Sequence, residues 1–196
     1  MQHFIGEAKW PPLNSINDWA GKKFDKIEHP ILWKLNKKIS MATNLVTDVH
    51  GSTTEMQVTS YGLGGLCQDH MDSYGVLETE EDILRKRKPN YLVHGDILGT
   101  FMAWLSDTGA GGGTSFLNSE NEKLVMPKKG AALFWYNLYS DGSPDPRTKH
   151  AGCPVLKGSK WIMNKWMHSY DNFKKFKCGL FKYDEYARSL KFDHFY

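Results

Sequence analysis

The sequence predicts a mostly β domain with one flanking α-helix, built as a sandwich, barrel or jelly roll. Two observations carry this. Beyond residue 55 the chain reads as short β-rich segments interrupted by glycine, the spacing expected of an all-β sandwich or barrel. Ahead of them stands one apolar stripe at helical spacing, formed by Leu32, Leu35, Ile39 and Ala42.

Residues 1–28 are polar and punctuated by Trp and Pro, an irregular or helical extension without clear periodicity. His29-Pro30 then opens the helix, with proline suited to the first turn because its missing N–H has no intrahelical partner there. Strands are expected at 56–61, 68–73, 100–105, 114–117, 123–126, 130–138, 150–156 and 160–168. Between them lie a charged loop, 74–96, and a loop rich in Ser, Asp, Pro and Gly, 139–149; residues 179–196 form a tail. Without repeats, low-complexity tracts or a linker, residues 1–196 read as one domain.

Hydrophobic residues make up 40% and charged residues 24% of the 196-residue chain, the composition of an ordinary globular protein. The net charge of +3 is a small difference between 25 basic and 22 acidic residues, and Arg85-Lys86-Arg87-Lys88 reads as a solvated face, so no nucleic-acid partner is expected. No apolar run approaches the ~20 residues that span a bilayer, so no membrane span is expected either. The N-terminus lacks a signal-peptide pattern. The chain is therefore expected to be cytosolic or a fragment of a longer secreted protein; its three cysteines do not decide between these.

The first chemical signal is His70-Met71-Asp72. On a strand, residues i and i+2 face the same side, so His70 and Asp72 can converge on one ion. Far downstream, His150 opens Lys149-His150-Ala151-Gly152-Cys153-Pro154. Two imidazoles and a carboxylate on one face make the triad of non-haem Fe(II) oxygenases, with coordination positions left for cosubstrate and oxygen. Alone, His150 reads more readily as a strand-end histidine satisfied by backbone. Further along, strand parity places Lys160, Ile162, Asn164, Trp166 and His168 on one face. A lysine buried there needs a partner, which a dicarboxylate ligand would supply; the alternative is that Lys160 snorkels past Trp166 to water. Two glycine-rich stretches, 109–114 and 152–160, lack the spacing of a phosphate-binding loop. The first instead lets a turn pass close to a ligand.

In order, these motifs resemble the catalytic domain of collagen-type prolyl 4-hydroxylase α subunits, over roughly residues 30–178. The matching segments are Tyr61-Gly62-x-Gly64-Gly65 before His70-x-Asp72, Ser106-Asp107 ahead of Gly112-Gly113-Thr114, and Pro127-Lys128-Lys129-Gly130-Ala131. They continue with Phe134-Trp135-Tyr136-Asn137-Leu138, His150-Ala151-x-Cys153-Pro154-Val155, Gly158-x-Lys160-Trp161 and Lys165-Trp166. The resemblance implies a double-stranded β-helix (jelly roll) that holds Fe(II) through His70, Asp72 and His150. It implies 2-oxoglutarate and O2 as cosubstrates, with Lys160 pairing the far carboxylate, helped by Tyr61 and Thr114, and with ascorbate as reductant. Trp166 and His168 are then expected near iron and substrate, and Cys153 and Cys178 as a disulfide. That pairing implies the endoplasmic reticulum lumen or secretory pathway and hence a truncated chain, with protein disulfide isomerase as β subunit.

Two positions depart from the family pattern. Cys67 and Ile97 stand where the family places a tyrosine and an arginine that contact the peptide. The expected function is hydroxylation of a peptidyl residue, proline to 4-hydroxyproline in a proline-rich or collagen-like chain. The alternatives are a diverged dioxygenase with a non-collagen substrate and a catalytically weak binding module.

Overall fold

The computed structural model describes residues 30–47, 53, 56–75, 94–118 and 123–181. The expected extension 1–28, the Arg85–Lys88 run, most of the 74–96 loop and tail residues 182–196 lie outside them.

Helix α1, Pro30–Thr43, forms where the stripe predicts. Ile39 is fully buried and Leu32 and Leu35 are partly so, but Ala42 is exposed and Thr43 takes its place inside. The reason is local. The Thr43 hydroxyl donates to Ile39 O (2.8 Å) and accepts from Leu45 N (3.2 Å). Asn44, at φ 55°, then turns the chain out of the helix, as short polar residues do at a helix end.

The strands are β1 (Gln57–Tyr61), β2 (Cys67–His70), β3 (Ile97–Trp104), β4 (Ala110–Gly111), β5 (Thr114–Phe116), β6 (Lys123–Val125), β7 (Ala132–Tyr136), β8 (His150–Gly152), β9 (Val155–Lys157) and β10 (Lys160–His168). One four-stranded sheet has the order β1-β10-β3-β7, a second β2-β8-β5-β6, and β4 pairs with β9. Every pairing is antiparallel. Two antiparallel sheets whose strands cross between distant parts of the chain make the jelly roll.

Several expected boundaries move. The first metal-motif strand ends at His70, so Asp72 lies in the bend that follows. The 150–156 segment divides into β8 and β9, which belong to different sheets. The 109–114 turn contributes β4, while a 3-10 turn, Pro146–Thr148, occupies the 139–149 loop.

Strands of the first sheet bury both faces, and β3 accordingly reads as a nearly continuous apolar run. On its outer face Phe101, Met163 and Met167 pack with Ile39 and Leu45 of the helical segment. Its inner face presents Met102, Trp104, Leu133, Trp135 and Ile162 to Phe116 and Val155 of the opposite layer. Fully burying side chains of this size stabilises by about 1.5–3 kcal/mol each. The functional cavity opens in this second, inter-sheet layer. Among the described residues no helix is long and apolar enough to cross a membrane.

Candidate active site

His70 and His150 are direct register partners across β2 and β8. Their rings face each other with centroids 4.4 Å apart. Each Nδ1 donates to the carbonyl two residues earlier, His70 to Gln68 O and His150 to Thr148 O, both at 2.8 Å. A carbonyl can only accept, so each Nδ1 carries a proton and fixes its ring with Nε2 pointing inward, the arrangement that orients metal-binding histidines. For His150 the carbonyl is delivered by the 3-10 turn. Asp145 caps that turn by accepting from Arg147 N (2.9 Å), and its carboxylate also holds the Arg147 guanidinium (2.6 Å).

Asp72 completes the cluster. Its Oδ1 lies 3.5 Å from His70 Nε2 and its Oδ2 4.0 Å from His150 Nε2. One donor atom from each residue lies within 4.8 Å of the other two. Sequence parity placed Asp72 on a strand with His70, but the bend after β2 is what turns it inward. Burial alone would raise its carboxyl, but hydrogen bonds from His70 and from Thr100 (2.7 Å) and the charges nearby hold it below the usual carboxylate range. The hydrogen bond to Asp72 pushes His70 up to about 10, whereas burial pulls His150 down. One carboxylate facing two imidazole Nε2 atoms, with the proton on His70 Nε2 displaced when a metal binds, is a donor set for a divalent transition metal. Thus the residues present fit Fe(II).

A cavity of about 260 Å³ extends from this cluster between the sheets. Lys160 lines it and is only 2% exposed. Its ammonium sits 5.2 Å from the Tyr61 ring centroid, and no carboxylate among the described residues pairs with it. Snorkelling is therefore ruled out by burial. The Lys160 site is closed by the glycine turn: at Gly112, with φ 72°, a Cβ would sit 3.4 Å from Lys160 Cδ. Thr114, 2% exposed, and Tyr61 also line the cavity, as expected. The Tyr61 hydroxyl is raised by burial and by its hydrogen bond with Cys67.

Trp166 lines the cavity as its strand parity requires, together with Ile162 and Asn164. His168 does not. The β10–β3 register slips between Met167 and His168, so that Met167 pairs with Gly99 but His168 with Ile97. This bulge twists the strand end away from the alternating pattern. His168 is instead buried with its Nδ1 donating to Gly95 O (3.1 Å), beside His94 and Tyr74. Ile97, expected at the peptide, is likewise a buried apolar residue outside the cavity lining. Cys67 does line the cavity, 3.8 Å from His70 Nδ1. The Cys153–Cys178 bridge is not formed: all three cysteines are free. Bridged sulfurs must lie about 2 Å apart, but Cys178 is exposed with its thiol turned to Gly179 O (3.8 Å).

Sequence reasoning missed Thr100, Trp135, Gln57 and Thr59 as lining residues. A threonine within the apolar run Ile97–Trp104 was the one visible sign of the first.

Fold and donor set together define a jelly-roll non-haem metal protein of the two-histidine, one-carboxylate class. Residues 56–168 match the sequence profile of the 2OG-Fe(II) oxygenase superfamily, and the chain belongs to that family. It is 37% identical over 184 residues to prolyl 4-hydroxylase subunit alpha-1 of Caenorhabditis elegans, covering 94% of this chain and 28% of that protein. Against the Homo sapiens subunit alpha-1 it is 40% identical over 153 residues, covering 78% and 26%. The chain thus spans about a quarter of the length of these curated relatives. Among solved structures it is similar to the viral collagen prolyl hydroxylase of Paramecium bursaria Chlorella virus-1 in complex with 2OG. The TM-score is 0.57 at 26% identity, covering 72% of this chain and 74% of that one.

Proposed function

We propose that this chain is the catalytic part of a 2-oxoglutarate-dependent dioxygenase that converts a peptidyl proline to 4-hydroxyproline in a proline-rich or collagen-like substrate. The observation that carries the reading is one cavity holding both the His70–Asp72–His150 cluster and a buried, uncompensated Lys160. The names of its prolyl 4-hydroxylase relatives support the choice of substrate. When bound, Fe(II) with 2-oxoglutarate and O2 supplies the oxidising chemistry, consuming the keto acid to succinate and carbon dioxide while one oxygen atom goes to the substrate.

His70, Asp72 and His150 would hold the metal, their Nε2 atoms and carboxylate already aimed inward. Lys160 would pair the far carboxylate of 2-oxoglutarate as a charge-assisted contact, with the Thr114 and Tyr61 hydroxyls beside it. The apolar walls supplied by Met102, Trp135 and Ile162 exclude water. Four residues along the β1–β10 pair from Tyr61–Lys160, Gln57 lies opposite Asn164, and with Trp166 they offer a mixed polar and aromatic surface to substrate. Prolyl peptides suit such a surface, because their extended form docks on aromatic rings and leaves carbonyls to accept hydrogen bonds.

Cys67 favours a second reading, the same chemistry on a non-collagen substrate, since it puts a thiol beside His70 where the collagen-type pattern has a tyrosine. One experiment separates the two: 2-oxoglutarate consumption with and without a peptide panel, with mass spectrometry for gain of one oxygen atom. Hydroxylated Pro-Pro-Gly repeats support the first reading. Uncoupled turnover with those repeats and coupled turnover on another peptide support the second, and no turnover of any kind refutes both. The collagen-type resemblance also supports ascorbate as reductant, an endoplasmic reticulum location and a protein disulfide isomerase partner. Co-purification after expression directed to that compartment tests the partner.

A further inference from the structure

Behind Asp72 runs a chain of hydrogen bonds whose direction is fixed. The Trp135 indole Nε1 lies 2.9 Å from Asn137 Oδ1, Asn137 Nδ2 lies 2.8 Å from Thr100 Oγ1, and Thr100 Oγ1 lies 2.7 Å from Asp72 Oδ2. An indole N–H can only donate, so the facing atom of Asn137 must be its carbonyl oxygen. That orients the amide NH2 toward Thr100. A hydroxyl has one proton; with the Asn137 N–H occupying a lone pair, Thr100 must direct its own proton at Asp72. Trp135, Asn137 and Thr100 are 2%, 0% and 1% exposed, so water does not compete. Trp135 also stands edge-on against the His150 ring, centroids 5.0 Å apart, and against Phe116 at 5.3 Å. One side chain therefore braces one metal-facing residue by packing and another through the hydrogen-bond chain.

We infer that Thr100, Asn137 and Trp135 are positioning residues that pin Asp72 Oδ2 to the protein and leave Oδ1 as the oxygen free to ligate the metal. This deepens the metal-site reading above and rests on it. Three residues from two neighbouring strands, β3 and β7, and the turn after β7 thereby set the ligand geometry at a bend that belongs to no strand. The bend alone would leave the Asp72 carboxylate free to rotate. Asn137 is itself locked at the backbone, its N–H donating to Leu98 O (2.8 Å) and its carbonyl accepting from Asp145 N (2.9 Å). Because Asp145 caps the turn that presents Thr148 O to His150, the same asparagine links the supports of both ligands.

The test is anaerobic calorimetry of Fe(II) binding to the metal-free protein, without 2-oxoglutarate, so that no turnover is needed. Loss of such outer partners typically weakens metal affinity by about 10–100-fold. Thr100→Val, equal in shape but lacking the hydroxyl, should fall in that range, and Thr100→Ser, which restores the donor, should return close to wild type. Trp135→Phe keeps the ring against His150 and Phe116 but frees the Asn137 amide to turn; its Fe(II) affinity should fall as well. A purely structural role predicts loss of thermal stability with unchanged Fe(II) affinity. Folded Thr100→Val or Trp135→Phe that binds Fe(II) as tightly as wild type overturns the inference. Should Thr100→Val fail to fold, Trp135→Phe decides alone. A wild-type protein that binds no Fe(II) refutes the metal-site reading itself, a distinct outcome.

Discussion

Replacing Lys160 with methionine should do two opposite things: stabilise the ligand-free protein and weaken 2-oxoglutarate binding. Burial lowers the Lys160 ammonium from its ordinary 10.5 to about 8, because no counter-charge offsets the lost hydration. A fall of that size corresponds to about 3 kcal/mol of destabilisation by the buried cation. The sign follows from where the proton sits. Below pH 8 the lysine is charged in both folded and unfolded chains, and the full penalty is present. As pH rises above 8 the folded chain releases its proton, and the penalty fades until it vanishes beyond the unfolded value near 10.5. Lys160→Met should therefore stabilise the ligand-free fold by up to about 3 kcal/mol at pH 7 and by little at pH 10, in line with other buried charges replaced by apolar groups. A dicarboxylate needs the ammonium, so wild-type affinity should be constant below pH 8 and fall by about tenfold per pH unit above it. In Lys160→Met at pH 7 the affinity should drop roughly ten- to hundredfold, the worth of a charge-assisted bond. Thermal unfolding across pH 6.5–9.5 and anaerobic 2-oxoglutarate titration measure both effects. Equal melting temperatures together with pH-independent wild-type affinity would refute the reasoning.

Other substitutions probe the remaining parts. Fe(II) and 2-oxoglutarate added together without oxygen should give the weak visible charge-transfer band of an iron–keto-acid chelate, and Asp72→Ala should abolish it in anaerobic absorbance spectra. At Gly152, an added Cβ would meet Cys67 Cβ at 3.2 Å and Lys160 Nζ at 3.7 Å. Gly152→Ala should therefore cost about 1–3 kcal/mol by overpacking and raise the KM for 2-oxoglutarate, while Fe(II) affinity in calorimetry stays near wild type. Ile39→Ala, which empties a fully buried position under the first sheet, should lower stability by about 2–5 kcal/mol in urea unfolding and leave the Fe(II) affinity of the folded protein unchanged.

What the sequence made legible was what alternates. Lys160, Ile162, Asn164 and Trp166 share the cavity wall because a regular strand obeys a period of two, and the helix stripe was readable for the same kind of reason. The reading failed where regularity breaks. His168 leaves the pattern at a bulge created by one extra residue, Leu98, on a different strand. Asp72 reaches the site through a bend, and Ala42 yields to Thr43 because a hydroxyl closes the helix end. The support behind Asp72 was hidden for another reason: Asp72, Thr100 and the Trp135–Asn137 pair are separated by tens of residues, and no local rule joins them until the sheets bring them together. The Cys153–Cys178 pairing came from family likeness rather than from any local rule, and both thiols are free, that of Cys178 exposed.

Strand β10 works as a ruler. From Lys160 to Trp166 it advances about 20 Å at roughly 3.3 Å per residue, and under the proposed function its inward teeth would serve the cosubstrate at one end and the substrate wall at the other. Both subsites are therefore cut into one piece of backbone, clamped between β1 and β3. Inserting or deleting a single residue there would turn Lys160 or Trp166 outward and shift the distance between them. Evolution and engineering can exchange individual teeth but not move the graduations. New substrate preferences in this chain must come from side-chain identity along β1 and β10 or from the surrounding loops, since the spacing between the two chemical ends is inherited whole.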